Sequence, residues 1–152
     1  MGQSLSQMYI HLVFGTKGRN NYLTPAIENR VHAYLAGTLQ QYESPALIIN
    51  SMPDHVHILF RLSKNYALAK IVEEVKKESS KWIKTIEGGT KLFKWQIGYG
   101  AFSVSSSKVE VVKRYIENQK QHHGIQTFRE EIEEFVQQYD IIEYDAQYFW
   151  ND

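Results

Sequence analysis

The sequence predicts an α+β fold: a ferredoxin-like β-α-β-β-α-β antiparallel sheet with an added C-terminal tyrosine-bearing helix and a short acidic helix. Three observations predict it. Segments with two-residue hydrophobic alternation are separated by segments with the apolar stripe of an amphipathic helix, in the order strand, helix, strand, strand, helix, strand. The two middle strands are joined only by "SMPD", which suits a tight antiparallel connection. No repeat, low-complexity tract or obvious linker interrupts the 152 residues. One domain is therefore expected over 1–152, with a core over about 6–123 and an acidic helix and tail over 124–152.

Taken in order, "SQMYIHLVFGTK" places Met8, Ile10, Leu12 and Phe14 on one face of a first strand. In "LTPAIENRVHAYLAGTLQQY", Thr24 is a plausible N-cap and Pro25 a first helical residue. The stripe there is Ile27, Val31, Tyr34, Leu35 and Leu39. "SPALIINSMP" and "HVHILFRL" are the second and third strands. "NYALAKIVEEVKKESSKWIKTI" buries Leu68, Ile71, Val72, Val75, Trp82, Ile83 and Ile86, and "GGT" breaks the chain. "KLFKWQIGYGAFSVS" reads as a fourth strand with glycine irregularities. "SSSKVEVVKRYIENQKQHHG" is a third helix ending at Gly124, and "TFREEIEEFVQQYD" is a short acidic helix before a poorly defined tail. Two helices cover one sheet face. The other face is open or meets a later helix.

The composition narrows the chemistry. With no cysteine, disulfides, thiolate metal sites and cysteine nucleophiles are excluded. No apolar run approaches the ~20 residues of a membrane span. The N-terminus lacks a basic start and a small-residue cleavage site, so a cytoplasmic protein is expected. No Walker-type Gly-rich Lys-Ser/Thr loop is present. The net charge of zero conceals an asymmetry: residues 1–123 carry 16 basic and 9 acidic side chains, whereas residues 124–152 carry 1 and 8. A basic body is compatible with nucleic acid, and equally with an ordinary solvated surface.

Two constellations carry chemistry. In "PDHVHILF", His55 and His57 are two apart on a strand, so both imidazoles project from one face while Val56, Ile58 and Phe60 take the other. Such a pair suits a divalent cation, with a third ligand from elsewhere. It also suits two strand histidines with ordinary hydrogen bonds. In "RYIENQ", Tyr115 and Gln119 are four apart and share a helix face, beside a docking stripe of Val109, Val112 and Ile116. Tyr115 is a candidate covalent nucleophile that needs a metal or base nearby, and Gln119 offers an amide oxygen to a metal. In a chain with ten tyrosines, an interfacial tyrosine beside an exposed glutamine fits the same pattern. Taken together, a metal on the histidines would polarise a phosphodiester and the tyrosine would attack phosphorus, breaking and rejoining DNA without ATP.

These segments, "HLVFGTKGR", "MPDHVHILF", "VKKESSKWI", "KWQIGYGAFSVS" and "YIENQ", resemble in order and spacing the single-tyrosine HUH transposases of small insertion sequences, over about residues 8–123. The resemblance implies that His55, His57 and Gln119 bind Mg2+ or Mn2+ and that Tyr115 forms a 5′-phosphotyrosine and releases a 3′ hydroxyl. It implies substrates that are single-stranded DNA folded into hairpins. It also implies a homodimer in which the tyrosine helix of one subunit completes the histidine site of the other. The fourth strand, at the sheet edge, is the expected dimer contact. Lys17, Arg19, Lys77, Lys81 and Arg114 are the expected DNA contacts. One departure is the serine-rich "SVSSSK" before the tyrosine helix, where glycines are expected. Competing readings are a replication-initiator-like nickase with the same chemistry, and an inactive relative that binds hairpin DNA or RNA as a regulator.

Overall fold

In the computed structural model, residues 2–122 and 126–151 are described. Four strands form one sheet: β1 (Met8–Gly15), β2 (Ala46–Met52), β3 (His55–Leu62) and β4 (Gly100–Val104). Their spatial order is β2-β3-β1-β4, and every pairing is antiparallel. This is the order a split βαβ pattern produces. Only Pro53 and Asp54 separate β2 from β3, and Met52 pairs directly with His55 across that turn. The short hairpin thereby fixes the register that sends both histidines to one face.

Two helices, α1 (Glu28–Gln41) and α2 (Leu68–Ile83), cover the first face. Their stripes meet Leu12 and Phe14 of β1 and Val56, Ile58 and Phe60 of β3 in the main apolar core. Tyr34 of α1 stacks on Trp82 of α2 at 4.5 Å and 12°. The first helix starts later than Pro25. A turn in which Ile27 and Glu28 donate their N–H groups to the Thr24 carbonyl leads into a helix starting at Glu28.

The second face is covered as well, by α3 (Val109–Glu117) and α5 (Phe128–Gln138). Val109, Val112 and Ile116 of α3 pack on Leu59 and Val104, as their spacing predicts. Phe128, Ile132 and Phe135 of α5 pack on Val13 and Phe102. Thr127 caps α5 through a reciprocal capping box with Glu130. The expected single third helix is divided. It breaks at Asn118, and a short α4 (Gln119–His122) follows, with Gly124 outside the described residues. The break has a local cause: the Asn50 side chain on β2 donates to the Ile116 and Glu117 carbonyls at 2.9 and 3.2 Å, satisfying the last turn of α3.

The expected fourth strand is also shortened. Residues 94–99 leave the sheet and are tied instead to the end of β1, where Thr16 bridges Trp95 and Gln96 N–H donates to the Gly15 carbonyl. β4 does lie at the sheet edge. The tail is ordered by contact: α6 (Ala146–Phe149) is capped by Asp145, and the Trp150 ring packs edge-on against Phe128. Among the described residues, no helix is long and apolar enough to cross a membrane.

Candidate active site

The site lies between β3 and the two helices of the second face. His55 and His57 project from β3 onto this face and are both fully buried. Glu131 arrives from α5, on the same stripe as Phe128, Ile132 and Phe135. One of its carboxylate oxygens lies 3.0 Å from His57 Nε2 and 3.4 Å from His55 Nε2. The other accepts from the Tyr115 hydroxyl and, at 3.2 Å, from the Gln119 amide nitrogen. Glu131 is therefore the hub on which all four residues singled out in the sequence converge. Sequence reasoning missed it because it sits in an acidic helix that reads as a solvated face. The available signal was its place inside an apolar stripe, where an unpaired carboxylate is costly.

The breaks in local structure serve this convergence. Ending α3 at Asn118 turns Gln119 inward, where it is fully buried although it no longer continues the same helix as Tyr115. Gly15 is required at the close approach of α5. A Cβ there would lie 2.8 Å from a Phe128 ring atom and 3.1 Å from the Asp54 carbonyl oxygen. Phe128 in turn stacks flat on the His55 imidazole at 4.1 Å and 9°.

Each histidine is oriented by a partner behind it. His55 Nδ1 lies 2.6 Å from Asp54 Oδ1, which turns Nε2 toward Glu131. His57 Nδ1 lies 2.8 Å from Nε2 of His11, a buried β1 residue that the sequence reading left unassigned. Such outer hydrogen bonds fix which ring nitrogen faces the site. Burial of His11, reinforced by repulsion from His57, lowers its pKa to about 3, so it stays neutral. For His55 burial opposes charge, but the hydrogen bonds it donates to Asp54 and Glu131 prevail and its pKa is raised. Burial and the adjacent Glu131 charge raise the Tyr115 pKa, so in this closed arrangement the phenol keeps its proton.

His55, His57 and Glu131 offer ligand atoms that all lie within 4.8 Å of one another, a cluster compatible with a metal site. The donor set fits a divalent cation: two imidazole nitrogens, a carboxylate and a carboxamide oxygen. The Gln119 Oε1 atom supports this, since it is buried with no hydrogen-bond partner among the described residues.

The expected DNA contacts are scattered. Lys17, Lys77, Lys81 and Arg114 are exposed. Arg19 is engaged with the tail, donating to the Trp150 carbonyl and lying 5.4 Å from the centroid of its ring. Lys77 and Lys81 lie on α2 and Arg114 on α3, so these residues flank opposite faces of the sheet. The tyrosine and the histidines meet within one chain.

Comparison with known proteins gives a consistent result. Residues 4–119 match the family described as "Transposase IS200 like". None of the curated protein sequences matches the chain. Among solved structures, a candidate transposase from Deinococcus radiodurans R1 is 23% identical with a TM-score of 0.59, over 78% of this chain and 96% of that one. A REP-associated tyrosine transposase bound to a REP hairpin is 14% identical with a TM-score of 0.60, over 82% of this chain and 75% of that one. At these identities the likeness carries the fold.

Proposed function

We propose, from the premise that this chain belongs to the IS200-like transposase family, that it binds single-stranded DNA hairpins and cleaves and rejoins the adjoining strand through a 5′-phosphotyrosine on Tyr115. The observation that carries this reading is the convergence of the Tyr115 hydroxyl, the Gln119 amide and the paired imidazoles of His55 and His57 on one carboxylate. His55, His57, Gln119 and Glu131 would hold a divalent cation, Mg2+ or Mn2+. Bound there, it would act as a Lewis acid on a phosphodiester. The imidazoles bring their Nε2 atoms to the site, with Asp54 and His11 fixing their rings. Glu131 orients the phenol and accepts its proton. The Tyr115 oxygen forms a bond to phosphorus as the bond from phosphorus to the 3′ oxygen breaks, and the 3′ oxygen takes up the proton that Glu131 accepted and leaves as a hydroxyl. The reverse attack by a 3′ hydroxyl rejoins the strand and returns the proton to tyrosine. Action on DNA in a bacterial or archaeal cell corresponds to a cytoplasmic location.

The test is incubation with single-stranded hairpin DNA from the protein's own locus. A covalent adduct that requires Mn2+ or Mg2+ and is absent in Tyr115→Phe is the expected result. An adduct that persists in Tyr115→Phe would overturn the assignment. One observation favours a second reading, a hairpin-binding regulator without chemistry: the site is closed, with His55, His57 and Gln119 fully buried. Hairpin binding with no adduct under any divalent ion would favour it. The meeting of Tyr115 with its own chain's histidines favours a site built within one subunit. Mixing Tyr115→Phe with His57→Ala subunits should then leave cleavage dead, whereas recovery would establish a homodimer with exchanged tyrosine helices.

A further inference from the structure

A groove of about 560 Å3 lies on the opposite side of the sheet, between α2 and the segment 94–99. Lys77 and Lys84 stand on one wall and Lys94 on the other, with Trp95, Ile97 and Tyr99 along the apolar side. Glu73 is the acid among its lining residues. Lys77 is paired with Glu74 at 2.9 Å, whereas among the described residues neither Lys84 nor Lys94 meets a carboxylate.

The loop wall is held firmly. The Lys76 ammonium donates to the carbonyl oxygens of Gln96, Ile97 and Gly98 at 2.9, 3.2 and 2.7 Å. Gly15 N–H donates to Gln96 Oε1 at 2.6 Å. Yet this firmly held segment leaves Ile97 84% exposed, and Leu92, two residues before Lys94, is 74% exposed. Large aliphatic side chains held outside the core on an anchored loop, beside several lysines, form a surface that is apolar and cationic together. Its position links it to the site, because Gly15, which anchors Gln96, is the β1 residue paired with His55.

We propose that this groove binds a single-stranded DNA segment, with its phosphates on Lys84 and Lys94 and a base against Ile97 and Tyr99, and leads that strand toward the His55 end of the sheet. The inference rests on the reading that the chain acts on DNA. Cationic walls track a phosphate backbone, and an apolar side receives a base face. In a duplex the bases are stacked inside and cannot reach that side, so a single strand is the fitting occupant.

The experiment uses the full chain, labelled oligo-dT and fluorescence anisotropy across a salt series in EDTA, so that no chemistry enters. Each phosphate contact on a single strand contributes about 0.7 to the slope of log K against log salt. The double variant Lys84→Ala/Lys94→Ala should therefore flatten the slope by about 1.4. Ile97→Ala should weaken binding roughly threefold at unchanged slope, as loss of an uncharged base contact requires. All three positions are on the surface, and circular dichroism checks that the variants fold. An unchanged slope in the lysine variant, an unchanged affinity in Ile97→Ala, or equal binding of a dA·dT duplex overturns the proposal. The adduct assay on the unaltered protein is independent. An adduct with a groove that fails these tests sinks only the groove, and a groove that passes with no adduct sinks only the catalytic reading.

Discussion

The two faces of the sheet are equally sealed from water and differ in what lies at their centres. Under α1 and α2 lie Phe14, Val56, Ile58 and Phe60, all at 0% exposure. Under α3 and α5, equally buried at 0–2%, lie His11, His55, His57, Gln119 and Glu131. The first face is held by area removed from water, which is non-directional. The second sets a hydrogen-bond network between two smaller apolar clusters, and most of its buried polar atoms depend on one another. Burial alone therefore does not separate core from site. The difference lies in whether removing one group leaves a void or leaves several groups without partners.

The largest effects should come from striking each face at its centre. Phe60→Ala leaves a cavity in the apolar core and should cost about 3–5 kcal/mol in urea denaturation. Glu131→Ala removes fewer atoms but deprives Tyr115, Gln119 and both histidines of a shared acceptor, and should cost about 3–5 kcal/mol as well. It should also weaken Mn2+ binding in calorimetry. A Glu131→Ala protein as stable as the parent would erase the distinction between the faces. One that forms more DNA adduct would recast Glu131 as a stand-in for the scissile phosphate.

A middle-sized effect concerns pH. His11 has a folded pKa near 3 against 6.5 unfolded, so the unfolded chain takes up a proton that the folded chain refuses. Its contribution is complete above pH 6.5 and is lost as pH falls toward 3. Between pH 7 and 5 that amounts to about 2 kcal/mol. Stability of the parent should fall more steeply over this interval than that of His11→Gln, and identical slopes would refute the buried neutral imidazole. His55 acts with the opposite sign. Its raised pKa gives a contribution that is complete below pH 6.5 and is lost as pH rises through the folded value. The smallest effect belongs to the lid of the polar face. Thr127→Ala breaks the capping box of α5 and should cost about 1 kcal/mol, read as a shift in the urea midpoint.

Much of this contrast was legible in the chain. Period-two alternation in β1 and β3 assigned Leu12, Phe14, Val56, Ile58 and Phe60 to one face, and the same alternation sent His55 and His57 to the other. Tyr115 and Gln119 were legible as a spaced pair, although the helix breaks between them because Asn50 on a distant strand takes up its last carbonyls. Glu131 and His11 were not identified, because their roles arise only from packing of elements far apart in sequence. The shortened fourth strand was hidden for the same reason. Residues 94–99 carry strand-like residues, but their hydrogen bonds go to the end of β1 and to Lys76.

The position of Glu131 along the chain sets an order of events during synthesis. The matched family segment closes at Gln119, and the carboxylate follows twelve positions later, on a helix of its own. A chain emerges from the ribosome N-terminus first. The sheet, the histidine pair and Tyr115 are therefore all made before the residue that ties them together.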